Sequence, residues 1–126
     1  MNGFKILLVD DNYTAADVLG KLLTYKGHSV QLAHSGEEAV RAARENDPDI
    51  AIIDIGLPDR SGYEVARELR TDKTRALLIA LTGFGQESDK KKAQEAGFDK
   101  HLTKPVGIKE LENAFSAPAT SAPFTL

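Results

Sequence analysis

Short apolar runs alternate with amphipathic stretches along this chain. Four of the runs are aliphatic and nearly continuous, which is typical of strands covered on both faces of a sheet. A weaker fifth run lies toward the C-terminal end. The runs are Phe4–Val9, Val30–Ala33, Ile50–Ile53, Leu77–Leu81 and Lys100–Leu102. The alternation predicts five strands, each followed by a helix.

The first three intervening stretches carry helix start signals. Asn12, Ser35 and Ser61 are good N-cap residues, and each serine is followed three positions later by a glutamate, the pattern of a capping box. Apolar residues of the first predicted helix recur at the spacing of an amphipathic helix. These residues are Ala15, Val18, Leu19 and Leu22.

Helix ends are marked as well. Gly27 and Gly97 suit the C-terminal ends of the first and fourth helices, because glycine readily adopts the left-handed conformation found there. We expect the fourth helix from about Gln86 to Ala96 and the fifth after Pro105. The fifth helix carries Ile108, Leu111 and Phe115 on one face.

Five alternations of strand and helix predict right-handed βαβ units and a doubly wound, five-stranded parallel sheet of the α/β class. A length of 126 residues fits one domain. We expect this domain to occupy residues 1–115. Residues 116–126 are rich in Ser, Ala, Pro and Thr, which predicts a flexible C-terminal tail or linker stub.

Composition narrows the class of protein. The formal net charge of −3 argues against direct nucleic-acid binding, which usually requires a basic surplus. The absence of cysteine fits a reducing compartment, and we expect a cytoplasmic location. No apolar run approaches the roughly 20 residues of a membrane span, and the N-terminus lacks signal-peptide features, so we expect no membrane insertion by this chain.

Polar residues follow four of the predicted strands. Asp10 and Asp11 come after the first, Asp54 after the third, Thr82 after the fourth and Lys104 after the fifth. Carboxyl ends of parallel strands meet at one edge of the sheet, where ligands bind in such folds. We therefore expect three carboxylates, a hydroxyl and an ammonium group to converge.

Clustered carboxylates resist ionisation unless a cation neutralises them. Mg²⁺ prefers oxygen ligands, and a metal beside a free carboxylate and a lysine outlines a phosphoryl-transfer site. Each residue alone also has an ordinary explanation. Asp11 can cap a helix, Thr82 can be a turn residue and Lys104 a surface charge. Only their joint occurrence at strand ends indicates a functional site.

Four motifs make the chain similar to a known family. LLVDDN at 7–12, IIDIGLPDRSGYEV at 52–65, ALTG at 80–83 and HLTKP at 101–105 resemble the receiver domains of two-component response regulators, the CheY-like family. The resemblance covers nearly the whole chain. It implies a flavodoxin-like (CheY-like) fold with strand order 2-1-3-4-5.

The resemblance also implies roles around a metal ion. Asp54 matches the aspartate that accepts a phosphoryl group from the phosphohistidine of a histidine kinase or a histidine phosphotransfer domain. Asp11, Asp54 and the backbone carbonyl of Gly56 match the ligands of Mg²⁺, with Mn²⁺ as an alternative. Asp10 matches the acid that holds a metal-bound water.

Further matches lie on the last two strand ends. Lys104 matches the lysine that contacts the phosphoryl oxygens, and Thr82 the hydroxyl that turns toward them after transfer. Pro105 matches a proline whose preceding peptide bond is usually cis. The switch position on the fifth strand, usually Tyr or Phe, is His101. Because histidine is smaller and titrates near neutral pH, we hypothesise weak or pH-dependent output coupling.

The resemblance therefore predicts a phosphorylation-controlled signalling domain, with self-catalysed phosphotransfer and dephosphorylation, and not a multiple-turnover enzyme. Output is expected through the face formed by the fourth helix, fifth strand and fifth helix, to an unknown partner. LTGFGQ at 81–86 and the tail are similar to C-terminal receivers of hybrid histidine kinases, which can be tethered to the membrane. A stand-alone receiver and an excised receiver both stay open.

Other functions fit the sequence less well. A magnesium-dependent phosphohydrolase usually has a D-x-D spacing, whereas Asp10 and Asp11 are adjacent. A degenerate scaffold would lack some matched residues, and a flavodoxin would not place acids beside a flavin phosphate. His28 and His34 are predicted to be surface residues, and Phe84 to shield the site partly.

Overall fold

A computed structural model describes residues 3–83 and 87–116 of the chain. Strands and helices alternate throughout, as the sequence predicts. The elements are β1 (Lys5–Val9), α1 (Tyr13–Tyr25), β2 (Ser29–Ala33), α2 (Gly36–Asn46), β3 (Ile50–Asp54), α3 (Gly62–Thr71), β4 (Leu77–Thr82), α4 (Glu87–Ala96), β5 (Lys100–Thr103) and α5 (Ile108–Ser116).

The five strands form one parallel sheet in the order β2-β1-β3-β4-β5, which confirms the predicted fold. The register aligns the carboxyl ends of the strands. Val9 pairs with both Ala33 and Ile53, and Asp54 pairs with Leu81. Residues that follow β1, β3 and β4 therefore emerge side by side at one edge.

Two apolar layers enclose the sheet. Along β3, alternate residues point to opposite faces, so Ala51 and Ile53 pack under α2, α3 and α4. Ile50 and Ile52 pack on the other face, under α1 and α5. All five residues of β3 are buried, as expected of the central strand of a doubly wound sheet.

The predicted caps are present. Asn12 Oδ1 accepts a hydrogen bond from Ala15 N–H at 3.0 Å, and Ser35 Oγ accepts one from Glu38 N–H at 3.1 Å. Ser61 Oγ accepts one from the N–H of residue 64 at 3.3 Å. The α1 and α4 helices are followed by Gly27 and Gly97 with φ of 101° and 105°, values that favour glycine.

The α1 helix departs from the simple amphipathic reading of its sequence. Val18 and Leu22 are 55% and 46% exposed, and the fully buried residues are Ala16, Gly20 and Leu23. A Cβ at Gly20 would lie 3.1 Å from Leu32 Cδ2, so glycine leaves room for Leu32 where α1 packs against β2. The helix thus has two apolar faces, and only one of them packs on the sheet.

The prediction that His28 is a surface residue is wrong. Its side chain is only 8% exposed. The ring stacks on Phe4 and meets Phe115 edge-on, with centroids 5.7 and 5.5 Å apart. Its Nδ1 accepts a hydrogen bond from Phe4 N–H at 3.0 Å, which satisfies the polar atom that burial would otherwise strand.

Some predictions concern residues that the structure does not describe. Phe84, Gln86 and most of the proposed tail at 116–126 are not among the described residues, so the domain boundary stays a prediction. Within the described residues, no helix is both long and apolar enough to cross a membrane.

Candidate functional site

Polar residues meet at the carboxyl edge of the sheet. Asp54 and Thr82 are the last residues of β3 and β4, and Asp10 follows β1 directly. All three are buried, with 6%, 4% and 7% of their surface exposed. Lys104 follows β5, where its N–H donates to Thr82 O at 2.8 Å and the Lys104–Pro105 peptide bond is cis, as predicted.

Three carboxylates cluster tightly at this edge. One oxygen each from Asp10, Asp11 and Asp54 lies within 4.8 Å of the others. Burial raises the pKa of the Asp10 carboxyl, and the neighbouring Asp54 raises it further, against the N–H of Asn12 and the charge of Lys104. A divalent cation would remove this repulsion. The hard oxygen donors therefore fit Mg²⁺ or Mn²⁺.

Both oxygens of Asp54 have partners. Lys104 Nζ lies 2.7 Å from Asp54 Oδ2, and Gly56 N–H donates to Asp54 Oδ1 at 3.0 Å. The ammonium is also 3.9 Å from Asp10 Oδ2. Although burial opposes it, the hydrogen bond and charge of Asp54 together with the other acids raise the pKa of Lys104. Lys104 thus stays charged and holds Asp54 in place.

Thr82 and His101 are in contact. Thr82 Oγ1 lies 3.2 Å from His101 Nε2, within hydrogen-bonding distance. Both side chains come from the adjacent parallel strands β4 and β5. The two predicted switch residues are therefore joined directly.

A groove of about 790 Å³ opens from the site between α1 and the segment after β5. Asp10 and Lys104 lie at its polar end. Its remaining lining is largely apolar and includes Val18, Leu22 and Val106. The groove therefore connects the exposed apolar face of α1 with the carboxylates.

His34 was predicted to lie at the surface and was assigned no role, and Asp59 was not singled out. His34 Nδ1 lies 3.0 Å from Asp10 O, and the His34 ring stacks on Tyr13 with centroids 3.7 Å apart. His34 follows β2 as Asp10 follows β1, and Ala33 pairs with Val9. Applying the strand-end rule to β2 would therefore have found His34.

Asp59 was also missed. It lies in the loop that follows β3, and its carboxylate accepts hydrogen bonds from Gly36 N–H at 2.8 Å and Glu37 N–H at 3.0 Å. These N–H groups lie at the start of α2, where they have no acceptor within the helix. Asp59 therefore ties the loop after Asp54 to a neighbouring helix. Sequence offered no signal for this contact, because it joins residues more than twenty positions apart.

Comparisons with known proteins agree with this geometry. The family model described as "Response regulator receiver domain" matches residues 6–116. A two-component response regulator of the LuxR family from Aurantimonas sp. SI85-9A1 is 30% identical, with a TM-score of 0.86 over 97% of this chain and 89% of that one.

Two further structures are similar. The receiver domain of Saccharomyces cerevisiae Ssk1, solved in complex with the histidine phosphotransfer protein Ypd1, is 30% identical. Its TM-score is 0.85, over 90% of this chain and 86% of that one. A CheY-like receiver domain protein from Methanospirillum hungatei JF-1 is 24% identical and shares the fold, with a TM-score of 0.86 over 97% of each chain.

Proposed function

The chain belongs to the response regulator receiver domain family, and from that premise we propose that Asp54 accepts a phosphoryl group from a phosphohistidine. The observation that carries this proposal is the position of the Asp54 carboxylate. It lies 2.7 Å from the Lys104 ammonium and within 4.8 Å of two further carboxylates. Receiver domains are signalling modules, and they bind Mg²⁺ at an acidic pocket.

The reaction is a displacement at phosphorus. An Asp54 carboxylate oxygen forms the new P–O bond, the P–N bond to the donor histidine breaks, and its electron pair leaves with the imidazole. Asp11, Asp54 and the Gly56 carbonyl would hold Mg²⁺, with Asp10 holding a metal-bound water, and the cation would supply charge neutralisation for the phosphoryl oxygens.

Lys104 follows the negative charge during this reaction. Before transfer the charge is on the Asp54 carboxylate, where Lys104 Nζ now lies. Forming the acyl phosphate removes the carboxylate charge and places charge on the phosphoryl oxygens. The ammonium therefore moves to a phosphoryl oxygen and stabilises the product.

Thr82 couples phosphorylation of Asp54 to a conformational change in the rest of the domain. In this proposal its hydroxyl turns from His101 toward the new phosphoryl group. His101 then repacks between β5 and α4, and the α4–β5–α5 face shifts toward a second conformation.

The phosphoryl donor is proposed to dock on the exposed face of α1. Among the side chains that the structure describes, every large exposed hydrophobic one lies on this helix. Val18 and Leu22 also line the groove that leads to Asp10 and Lys104. An apolar helical surface carrying a phosphohistidine, from a histidine kinase or a histidine phosphotransfer protein, fits this arrangement. The cytoplasmic location and the hybrid-kinase origin stay predictions.

Acyl phosphate labelling tests the phosphoacceptor. The chain is incubated with Mg²⁺ and acetyl phosphate and then weighed by mass spectrometry. We expect one hydroxylamine-labile phosphoryl adduct, and none in Asp54→Asn. An adduct that persists in Asp54→Asn contradicts the proposal, and multiple turnover of phosphomonoesters would indicate a phosphohydrolase instead.

Charge placed on α1 tests the docking face. We expect Val18→Lys and Leu22→Lys to slow transfer from a phosphorylated histidine phosphotransfer domain at least tenfold, with acetyl phosphate labelling unchanged. Glu45→Lys on α2, across the sheet, is the control and should affect neither reaction. Equal transfer rates in all three variants would show that the donor docks elsewhere.

A further inference from the structure

His34 contacts both ends of the loop that carries the acids. At the first end, its Nδ1 lies 3.0 Å from the carbonyl oxygen of Asp10. A carbonyl can only accept, so Nδ1 carries the proton and donates in this contact. At the other end, the imidazole stacks on the ring of Tyr13, the first residue of α1, at 3.7 Å and an interplanar angle of 19°.

The backbone of Asp10 is thereby held on both sides by the end of β2. Its N–H donates to Ala33 O at 3.0 Å, and its carbonyl accepts from the next residue, His34. The only residues between the two contacts of His34 are Asp11 and Asn12. The histidine thus spans the residue whose carboxylate is proposed to bind the cation.

Asp11 itself depends on this support. Its side chain is exposed, and within residues 3–83 and 87–116 no hydrogen bond or ion pair holds its carboxylate. The neighbouring acids differ, because Asp10 Oδ1 accepts from Asn12 N–H at 2.9 Å and Asp54 is held by Lys104. Among the described residues, Asp11 is therefore positioned only through the backbone of its loop.

We propose that His34 and Tyr13 are positioning residues that fix the loop at 10–13 so that Asp11 faces a divalent cation. The inference rests on the proposed cation site. Neither ring touches the reacting atoms in this scheme, and both act through the loop backbone. Residues that orient metal ligands typically change metal affinity by 10- to 100-fold when they are removed.

Cation affinity of the unphosphorylated, full-length chain is the direct test. The dissociation constant for Mg²⁺ is measured by titration calorimetry in the wild type, His34→Ala and Tyr13→Ala. We expect about tenfold weaker binding in each variant. Combining the two should add less than threefold more, because either substitution alone destroys the stack. Tyr25→Ala is the matched control, since Tyr25 is an exposed tyrosine at the far end of α1.

Two further variants separate the contacts of His34. His34→Asn keeps an N–H donor for Asp10 but loses the stack, and His34→Phe keeps the stack but loses the donor. Both should bind Mg²⁺ with affinities between those of the wild type and His34→Ala. A purely structural role predicts a different result: equal losses of melting temperature with and without Mg²⁺, and an unchanged dissociation constant.

Asp11→Asn distinguishes failure of this inference from failure of the cation site. If Asp11→Asn weakens Mg²⁺ binding while His34→Ala and Tyr13→Ala do not, the positioning role is wrong and the site stands. If Asp11→Asn also leaves the dissociation constant unchanged, the proposed cation site fails and this inference fails with it. Tyr13 is exposed, so its variant provides the test even where a His34 variant does not fold.

Discussion

Thr82 Oγ1 and His101 Nε2 are hydrogen-bonding neighbours 3.2 Å apart. Two acceptors can compete for the hydroxyl proton of Thr82. The Thr82 hydroxyl has one hydrogen, which it can donate either to His101 or to a phosphoryl oxygen on Asp54. A histidine at this position can therefore compete with the phosphoryl group for Thr82, which a phenylalanine ring cannot do.

Protonation of His101 should relieve this competition. Imidazolium can only donate, so it leaves the Thr82 hydroxyl hydrogen available to the phosphoryl group. We expect a larger activated fraction at about pH 6 than at about pH 8, the range in which a free histidine titrates. The measurement is the size of NMR chemical-shift changes on phosphorylation. His101→Phe is the control and should show none of this pH dependence. Large shifts that are equal at both pH values in the wild type would contradict the coupling.

Lys104→Met should slow phosphoryl uptake. The substitution removes the cation 2.7 Å from Asp54, and the loss of one preorganised charge in such a site typically costs about 100-fold in rate. This rate is measured by quenching the acetyl phosphate reaction at successive times and weighing the protein by mass spectrometry. Lys100→Met is the matched control, because Lys100 begins β5 and pairs with Ile79, away from the carboxyl edge of the sheet. A rate within twofold of wild type in Lys104→Met would remove Lys104 from the proposed reaction.

Asp10→Asn should stabilise the cation-free protein while weakening its cation binding. Burial raises the pKa of Asp10, which means that the folded state disfavours the ionised carboxylate that is present at neutral pH. Asparagine removes that charge and keeps an oxygen for Asn12 N–H. We expect about 1 kcal/mol more stability in urea unfolding with EDTA. A less stable variant would show that Lys104 more than offsets the repulsion.

Much of the site could be predicted from the sequence because parallel strands impose a common edge. Asp10, Asp54, Thr82 and Lys104 needed only the strand assignments and the rule that carboxyl ends align. The register then brings the ends of these strands side by side. The rule applies where parallel strands are apolar enough to be recognised in the sequence. Backbone pairing, and not side-chain packing, then places the strand ends next to one another.

Side-chain packing explains what could not be predicted. Periodicity marks Val18 and Leu22 as apolar helix positions, but it cannot tell which of two apolar faces turns inward. Gly20 favours one of these faces, because it leaves room for Leu32 where α1 packs against β2. The burial of His28 could not be predicted for a similar reason. Its ring nitrogen accepts a hydrogen bond from Phe4 N–H, which is distant in the sequence.

Gly62→Ala should distort the loop behind Asp54. A Cβ at this position would lie 2.6 Å from Asp54 O and 2.8 Å from Ile55 Cα, both backbone atoms that cannot move aside cheaply. We expect a loss of about 1–3 kcal/mol, as for other overpacked positions, measured by urea unfolding. Gly56→Ala is the control, because its Cβ would meet only Asp54 Oδ1 at 3.9 Å. We expect Gly56→Ala to change stability by less than about 0.5 kcal/mol, and equal losses in both variants would contradict the packing explanation.

Asp59→Asn should make stability depend less on pH. Hydrogen bonds from Gly36 N–H and Glu37 N–H lower the pKa of Asp59 below its ordinary value of 3.8. A group whose folded-state pKa is lowered adds stability above its unfolded pKa, and that stability is lost as the pH falls through the folded value. We therefore expect Asp59→Asn to be less stable than wild type in urea at pH 7.

The difference should vanish near pH 2, where the wild-type carboxyl approaches protonation in both states. Asp47→Asn provides the matched control. It makes the same substitution at the other end of α2, at a residue with φ of 46°, a conformation that asparagine tolerates. If Asp47→Asn and Asp59→Asn lost stability equally at pH 7, general surface charge would explain the effect. A loss confined to Asp59→Asn would show that its carboxylate, by capping α2, holds the loop that follows the proposed phosphoacceptor.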